Sequence, residues 1–198
     1  MLITVEDDPH ALVDLLWIRE AWGLRPVGDN LPPLLSDKSV GAHTGTDASG
    51  GVGTWQNDWP AMWEACVRHA GQVRDETLFE QLQGTAFGSA ERDELLHQFV
   101  GPTWRDKFGD DAFAAQYETW NLAKLDARSR RRPQPLEDAP EHVSLAALIP
   151  AWRAGLSTIV VIPCLSSYTR VIGPHSLIVT SETRDDPNRY SQALKQFR

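Results

Sequence analysis

The sequence predicts an α+β fold, with a mostly helical N-terminal two-thirds and a C-terminal antiparallel three-stranded meander flanked by helices. Two observations carry the prediction. Caps ahead of apolar runs and glycines behind them recur along residues 7–130, which is the punctuation of helices. Three short β-branched runs, "TIVVIP", "YTRVIG" and "SLIVTS", then crowd into residues 158–181, with Gly173-Pro174-His175 as a compact turn.

Taken in order, "LITV" is strand-prone and available to join the meander. A helix follows, with Asp7 or Asp8 as cap, Pro9 in its first turn and Gly23 at its end. Leu12, Val13, Leu15, Leu16, Trp17, Ile18 and Trp22 leave it a polar stripe of only His10 and Asp14, so it must be largely buried. Residues 25–58 show no period, and prolines 26, 32 and 33 with a glycine cluster make them a long irregular stretch. Four helices come next. The first starts at Trp59 behind an Asp58 cap, with Pro60 in its first turn and Gly71 as its stop. A short one ends at Gly84, and another opens on Ser89 with an imperfect capping box. The longest runs from Asp110 to Arg130, acids first and arginines last, as the helix dipole favours. "RRPQPLEDAPEH" reads as an extended connection. Ser144 then caps a helix that Pro150 kinks or ends, and a last helix starts at Asp186-Pro187.

These elements make a single domain over 1–198. It comprises a helix-rich acidic segment (1–127), an Arg/Pro-rich connection (128–142) and a helix–meander–helix segment (143–198). At 198 residues the chain is long enough to bury a core without metal or disulfide staples. Cys66 and Cys164 stand far apart and form no ligand cluster, which suits two packed thiols in a reducing compartment. The opening "MLITVEDDPH" lacks a basic leader, and no apolar run approaches the ~18 residues that span a bilayer. The expectation is a soluble, cytoplasmic protein with no membrane contact.

A net charge of −8 argues against nucleic acid as the partner. The charge is uneven. Residues 1–127 hold 9 Lys+Arg against 21 Asp+Glu, a net of −12, and residues 128–198 hold 10 against 6, a net of +4. Such asymmetry bears on partners rather than on fold.

The stretch "GAHTGTDASGGVGTWQNDWP", residues 41–60, raises the question of a phosphate cradle. A P-loop needs lysine and a hydroxyl after its second glycine, and Gly51 and Val52 stand there instead. The dinucleotide fingerprint fails at Gln56, and Asp58 at the expected helix start would repel an anion. A loop is the better reading. His43, Asp47 and Ser49 within it are candidate catalytic residues, although a nucleophile elbow would need glycine where Asp47 stands.

Metal patterns are thin: Glu94 with His97, and Cys66 with His69, are single pairs, so no metal and no cofactor are expected. Trp59 and Trp63 form a stripe that is either core or the wall of a pocket beside the loop. Arg128, Arg130, Arg131 and Arg132 form the dense basic run, either a solvated helix end or a docking patch for an acidic partner protein or RNA, although no aromatic is interleaved to stack a base. Among the histidines, His97 and His175 are further catalytic candidates, His175 for its place near Tyr168 and Arg170 across a turn. Two functions follow as expectations. The first is a non-catalytic interaction or regulatory module. The alternative is a metal-independent enzyme, a hydrolase for instance, with its pocket between the Gly41–Gly53 loop, the Trp59/Trp63 face and the meander.

Overall fold

One mixed sheet organises the chain, in the order β1 (Thr4–Asp7), β2 (Thr158–Ile162), β4 (Ser176–Thr180), β3 (Thr169–Ile172). The computed structural model describes residues 1–7, 9–37, 40, 52–73, 75, 77–113, 115–130 and 135–198. Among them, ten α-helices surround the sheet, so the α+β class holds. None is long and apolar enough to cross a membrane.

The N-terminal strand does join the sheet, in parallel with β2. The antiparallel meander needs correction. β2 and β4 pair in parallel, with Val160 beside Ile178, and only β3 and β4 form an antiparallel hairpin. The reason lies in the side chains. β4 is buried throughout and β2 from Ile159 onward, whereas β3 carries the half-buried Arg170 and an exposed Val171. Continuously apolar runs take interior places, and the half-polar run takes the edge.

Alternation along the inner strands divides the core. Val160, Ile162 and Ile178 face one apolar cluster with α1 (His10–Ala21) and α2 (Val52–Ala70). Ile159, Val161, Leu177 and Val179 face the other, with α8 (Leu145–Arg153) and α10 (Pro187–Leu194).

Several helix boundaries differ from expectation. Asp7 ends β1 and Pro9 is the N-cap of α1, so Asp7 is not its cap, and Asp8 lies outside the described residues. Gly23 does close it, at φ +60°. Asp14, expected on a polar stripe, is buried, as is Arg19. Arg19 donates to the Pro32 carbonyl (2.7 Å) and lies over the Trp59 ring, which ties the irregular 25–35 segment to two helices. α2 begins at Val52, which puts Asp58 and Pro60 inside it rather than at its start. Asp58 pairs with Lys107 at 2.9 Å. The longest helix is therefore α2, not the later one.

α3 (Thr77–Gly84) and α4 (Ala90–Val100) match expectation, and Ser89 caps α4 by accepting from the Arg92 amide. α5 (Trp104–Phe108) is an addition to the expected elements, and Thr103 and Asp106 make a full capping box ahead of it. α6 (Ala115–Ser129) starts beyond Asp110 and Asp111, so the acids expected in its first turn lie outside it. The connection expected to be extended holds a 3-10 turn (Leu136–Asp138) and α7 (Pro140–Val143). Ser144 makes no capping bond, and α8 runs through Pro150 to Arg153. α9 (Ser181–Asp185) precedes α10, which starts as predicted: Asp186 accepts from the amides of Asn188 and Arg189.

Candidate functional site

Because β1, β2 and β4 run parallel, their carboxyl ends open on one edge of the sheet, and there the chain turns away three times. Such an edge is where open parallel sheets take ligands. A cleft of about 590 Å³ lies on it, within the range of small-ligand sites. Its floor is Asp7, Val161, Pro163 and Ser181, one wall is the Leu35–Asp37 segment, and α9 supplies Arg184 and Asp185. The opposite wall is one face of α6, where Trp120, Lys124 and Arg128 recur every fourth residue.

Most polar groups of the cleft are already engaged. The Arg184 guanidinium donates to both oxygens of Glu141 (2.8 and 2.9 Å) and to Asp7 (3.4 Å). Burial opposes the Arg184 charge, but the Glu141 carboxylate outweighs it and raises the pKa. Burial likewise pushes Glu141 up, and the Arg184 bonds more than reverse this. Asp37 accepts the Trp120 indole N–H at 2.8 Å, and Ser36 donates its amide and hydroxyl to the Pro163 carbonyl. Arg128 is exposed and has no ion pair among the described residues.

A second cavity, about 690 Å³, lies between the start of α1, the end of α2 and the end of α4. His10, His69 and His97 line it. Each ring has one nitrogen near a protein acceptor: His10 Nδ1 is 3.1 Å from Asp14 Oδ1, His69 Nε2 is 3.1 Å from the Gln98 carbonyl, and His97 Nδ1 is 3.9 Å from Asp106. The Tyr117 hydroxyl donates to the same Asp14 oxygen at 2.5 Å. Cys66, in the same lining, donates to the Pro102 carbonyl, and burial pushes its thiol up to about 12. Among the described residues no three His, Cys, Asp or Glu groups come together as metal ligands.

The candidates from the sequence scatter across these places. His43, Asp47 and Ser49, with the rest of residues 41–51, lie outside the described residues, as do Arg131 and Arg132. His97 lines the second cavity. His175 is occupied elsewhere, its Nδ1 2.9 Å from the Gly155 carbonyl. Nor do its neighbours converge on it: Tyr168 donates to Asn30, and Arg170 pairs with Glu64. Trp59 and Trp63 are fully buried and stacked, with centroids 5.5 Å apart, and neither lines the two cavities. Arg130 is tied to Asp126 at 2.8 Å, and Arg128 faces the cleft.

Three groupings go beyond the sequence candidates taken singly. The Trp120/Lys124/Arg128 stripe and the His10/Asp14 pair both carry an i, i+4 spacing, a signal present in the sequence. Arg184 with Glu141 carries no such signal, being 43 residues apart. No protein-family model matches the chain, and no curated protein or solved structure matches it.

Proposed function

We propose that the protein is an interaction module whose cleft at the carboxyl edge of the sheet takes an acidic, partly apolar segment of a partner protein, without turnover there. The observation that carries this is Arg128: an exposed guanidinium with no ion pair among the described residues, one turn beyond Lys124 on the same face of α6 and across the cleft from Val161 and Pro163. Of the three acids that line the cleft, Asp7 is paired with Arg184 and Asp37 accepts the Trp120 indole N–H, and Asp185 is the third. A bound carboxylate meets the Arg128 guanidinium, and Leu35, Val161 and Pro163 give its apolar neighbours a surface. Trp120 is buried and committed to Asp37, so it offers no platform for stacking a nucleic-acid base.

The test is fluorescence anisotropy with a labelled peptide of alternating Asp and Leu, titrated with the full chain. Binding should saturate, weaken with salt, and fall ~10-fold or more in Arg128→Glu, while the thermal midpoint stays put. Replacing all four arginines of the run by serine should act likewise. Equal binding of an Asn/Leu peptide, or no loss in Arg128→Glu, overturns the proposal. Stronger binding of single-stranded RNA assigns the cations to phosphate instead.

A further inference from the structure

The second cavity shares no lining residue with the cleft and carries a different chemistry. We infer that His10, oriented by Asp14, is the proton acceptor of a water-activating site in this cavity, acting on small apolar carboxylic esters.

The placement of His10 is the first argument. A cationic ring in the first turn of a helix opposes the macrodipole, so α1 itself gains nothing from it. What the ring gains is Asp14, one turn on. That carboxylate is 7% exposed, and the Tyr117 hydroxyl fixes it from α6 through the same Oδ1 atom. A carboxylate held in this way accepts a hydrogen bond from Nδ1–H of the neutral ring and so favours the tautomer with its lone pair on Nε2. The His10 side chain is 73% exposed and lines the cavity, whose walls are largely apolar: Leu12, Ala70, Leu78, Phe99 and Pro102. A wet nitrogen beside an apolar recess is the arrangement that a general base for hydrolysis needs.

The surrounding charges make His10 a stronger base than an ordinary histidine. Asp14 on α1 is paired with His10, and Glu6 of β1 and Asp75, beyond α2, line the same cavity. Lys124 and Tyr117 approach from α6, and the other two rings, His69 and His97, come from α2 and α4. The hydrogen bond to Asp14 outweighs partial burial and the Lys124 charge, so the His10 pKa lies above its ordinary 6.5. Cys66 is excluded as the nucleophile because its thiol stays protonated at neutral pH. Water takes that role.

The step balances without any other reactant. A water proton passes to His10 Nε2 as the water oxygen bonds to the ester carbonyl carbon, and the carbonyl π pair moves onto oxygen. The tetrahedral intermediate then collapses, the bond to the alkoxy oxygen breaks, and that oxygen takes the proton back from His10. Ester and water become acid and alcohol.

The probe is 4-nitrophenyl butyrate with the full chain. Hydrolysis should be saturable, and kcat should rise with pH through one ionisation above 6.5. His10→Ala should lower kcat ~100-fold or more with KM nearly unchanged, and added imidazole should restore part of the rate. His10 is exposed, so this variant should fold; His175→Ala, remote from the cavity, should leave the rate alone. Asp14→Asn should move the pH midpoint downward, which a purely structural role would not do. A rate no greater than that of free imidazole at equal concentration overturns the inference, as does a His10→Ala variant that keeps its kcat.

Discussion

The backbone of Gly71 lies directly against the backbone of Gly173. A β-carbon on Gly71 would stand 2.9 Å from the carbonyl carbon and oxygen of Ile172, and one on Gly173 would overlap the Gly71 carbonyl oxygen. The end of α2 thus rests on the β3–β4 turn with no side chain between them. Gly173→Ala meets both this overlap and a φ of +65°, so it should cost about 3 kcal/mol in urea unfolding. Gly23→Ala, at φ +60° but in open space, should cost only about 1 kcal/mol. Equal losses at the two sites would show that the backbone contact contributes nothing.

The inner strands give a sharper test. Val160 and Ile162 are fully buried on one face of the sheet. An unpaired carboxylate there costs several kcal/mol, comparable to the ~5–15 kcal/mol that holds a domain together. Val160→Asp should show no cooperative thermal transition by circular dichroism.

Arg184 should matter far more than Arg130. Arg184→Ala leaves Glu141 half-buried beside Tyr190 without its guanidinium, at a cost of about 2–3 kcal/mol. Arg130 pairs with Asp126 in solvent, and Arg130→Ala should stay within ~0.5 kcal/mol. Denaturant midpoints of the two variants decide it.

Stability should fall on both sides of neutrality for different reasons. His10 has a folded pKa above 6.5, so its contribution is complete below that value and is lost as pH rises through the folded one. Glu64 behaves oppositely. The two bonds from Arg170 hold its pKa below 4.5, so its contribution is present above 4.5 and lost as pH falls through the lower value. Urea midpoints measured across pH should therefore decline as pH rises above 6.5 and as it falls below 4.5. Asp14→Asn should flatten only the alkaline side.

ATP and GTP with magnesium should give no saturable calorimetric signal at millimolar concentration. Asp58 does not support this, since it sits inside α2 and pairs with Lys107. The expectation rests on Gly51 and Val52, where a P-loop needs lysine and a hydroxyl. Saturation that disappears on altering Gly50 would reverse it.

Local signals are legible in the sequence and long-range ones are not. Ser89, Asp186-Pro187 and Gly23 mark real helix ends because capping is settled within a turn. Pro60 misleads, since a proline that suits a first turn also sits inside the longer α2. Strand order needs a comparison of whole runs: Arg170 marks β3 as the edge, and the unbroken apolar β4 belongs inside. The cleft is hidden for the same reason. Its members come from β1, β2, α6 and α9, and only the i, i+4 stripe from Trp120 to Arg128 is local enough to read directly.

The pairing of Thr4 with Thr158 sets a schedule for synthesis. At roughly 5–20 residues per second, β1 leaves the ribosome on the order of 10–30 s before β2 exists to receive it. Until then Leu12, Leu16 and Ile18 of α1 lack the Val160 and Ile162 side of their cluster. α2 arrives sooner and can cover α1 first, with the Trp59 indole donating to the Leu15 carbonyl. Between those two moments the nascent chain is a helical fragment with one oily flank bare, and that interval is when a chaperone would protect it most.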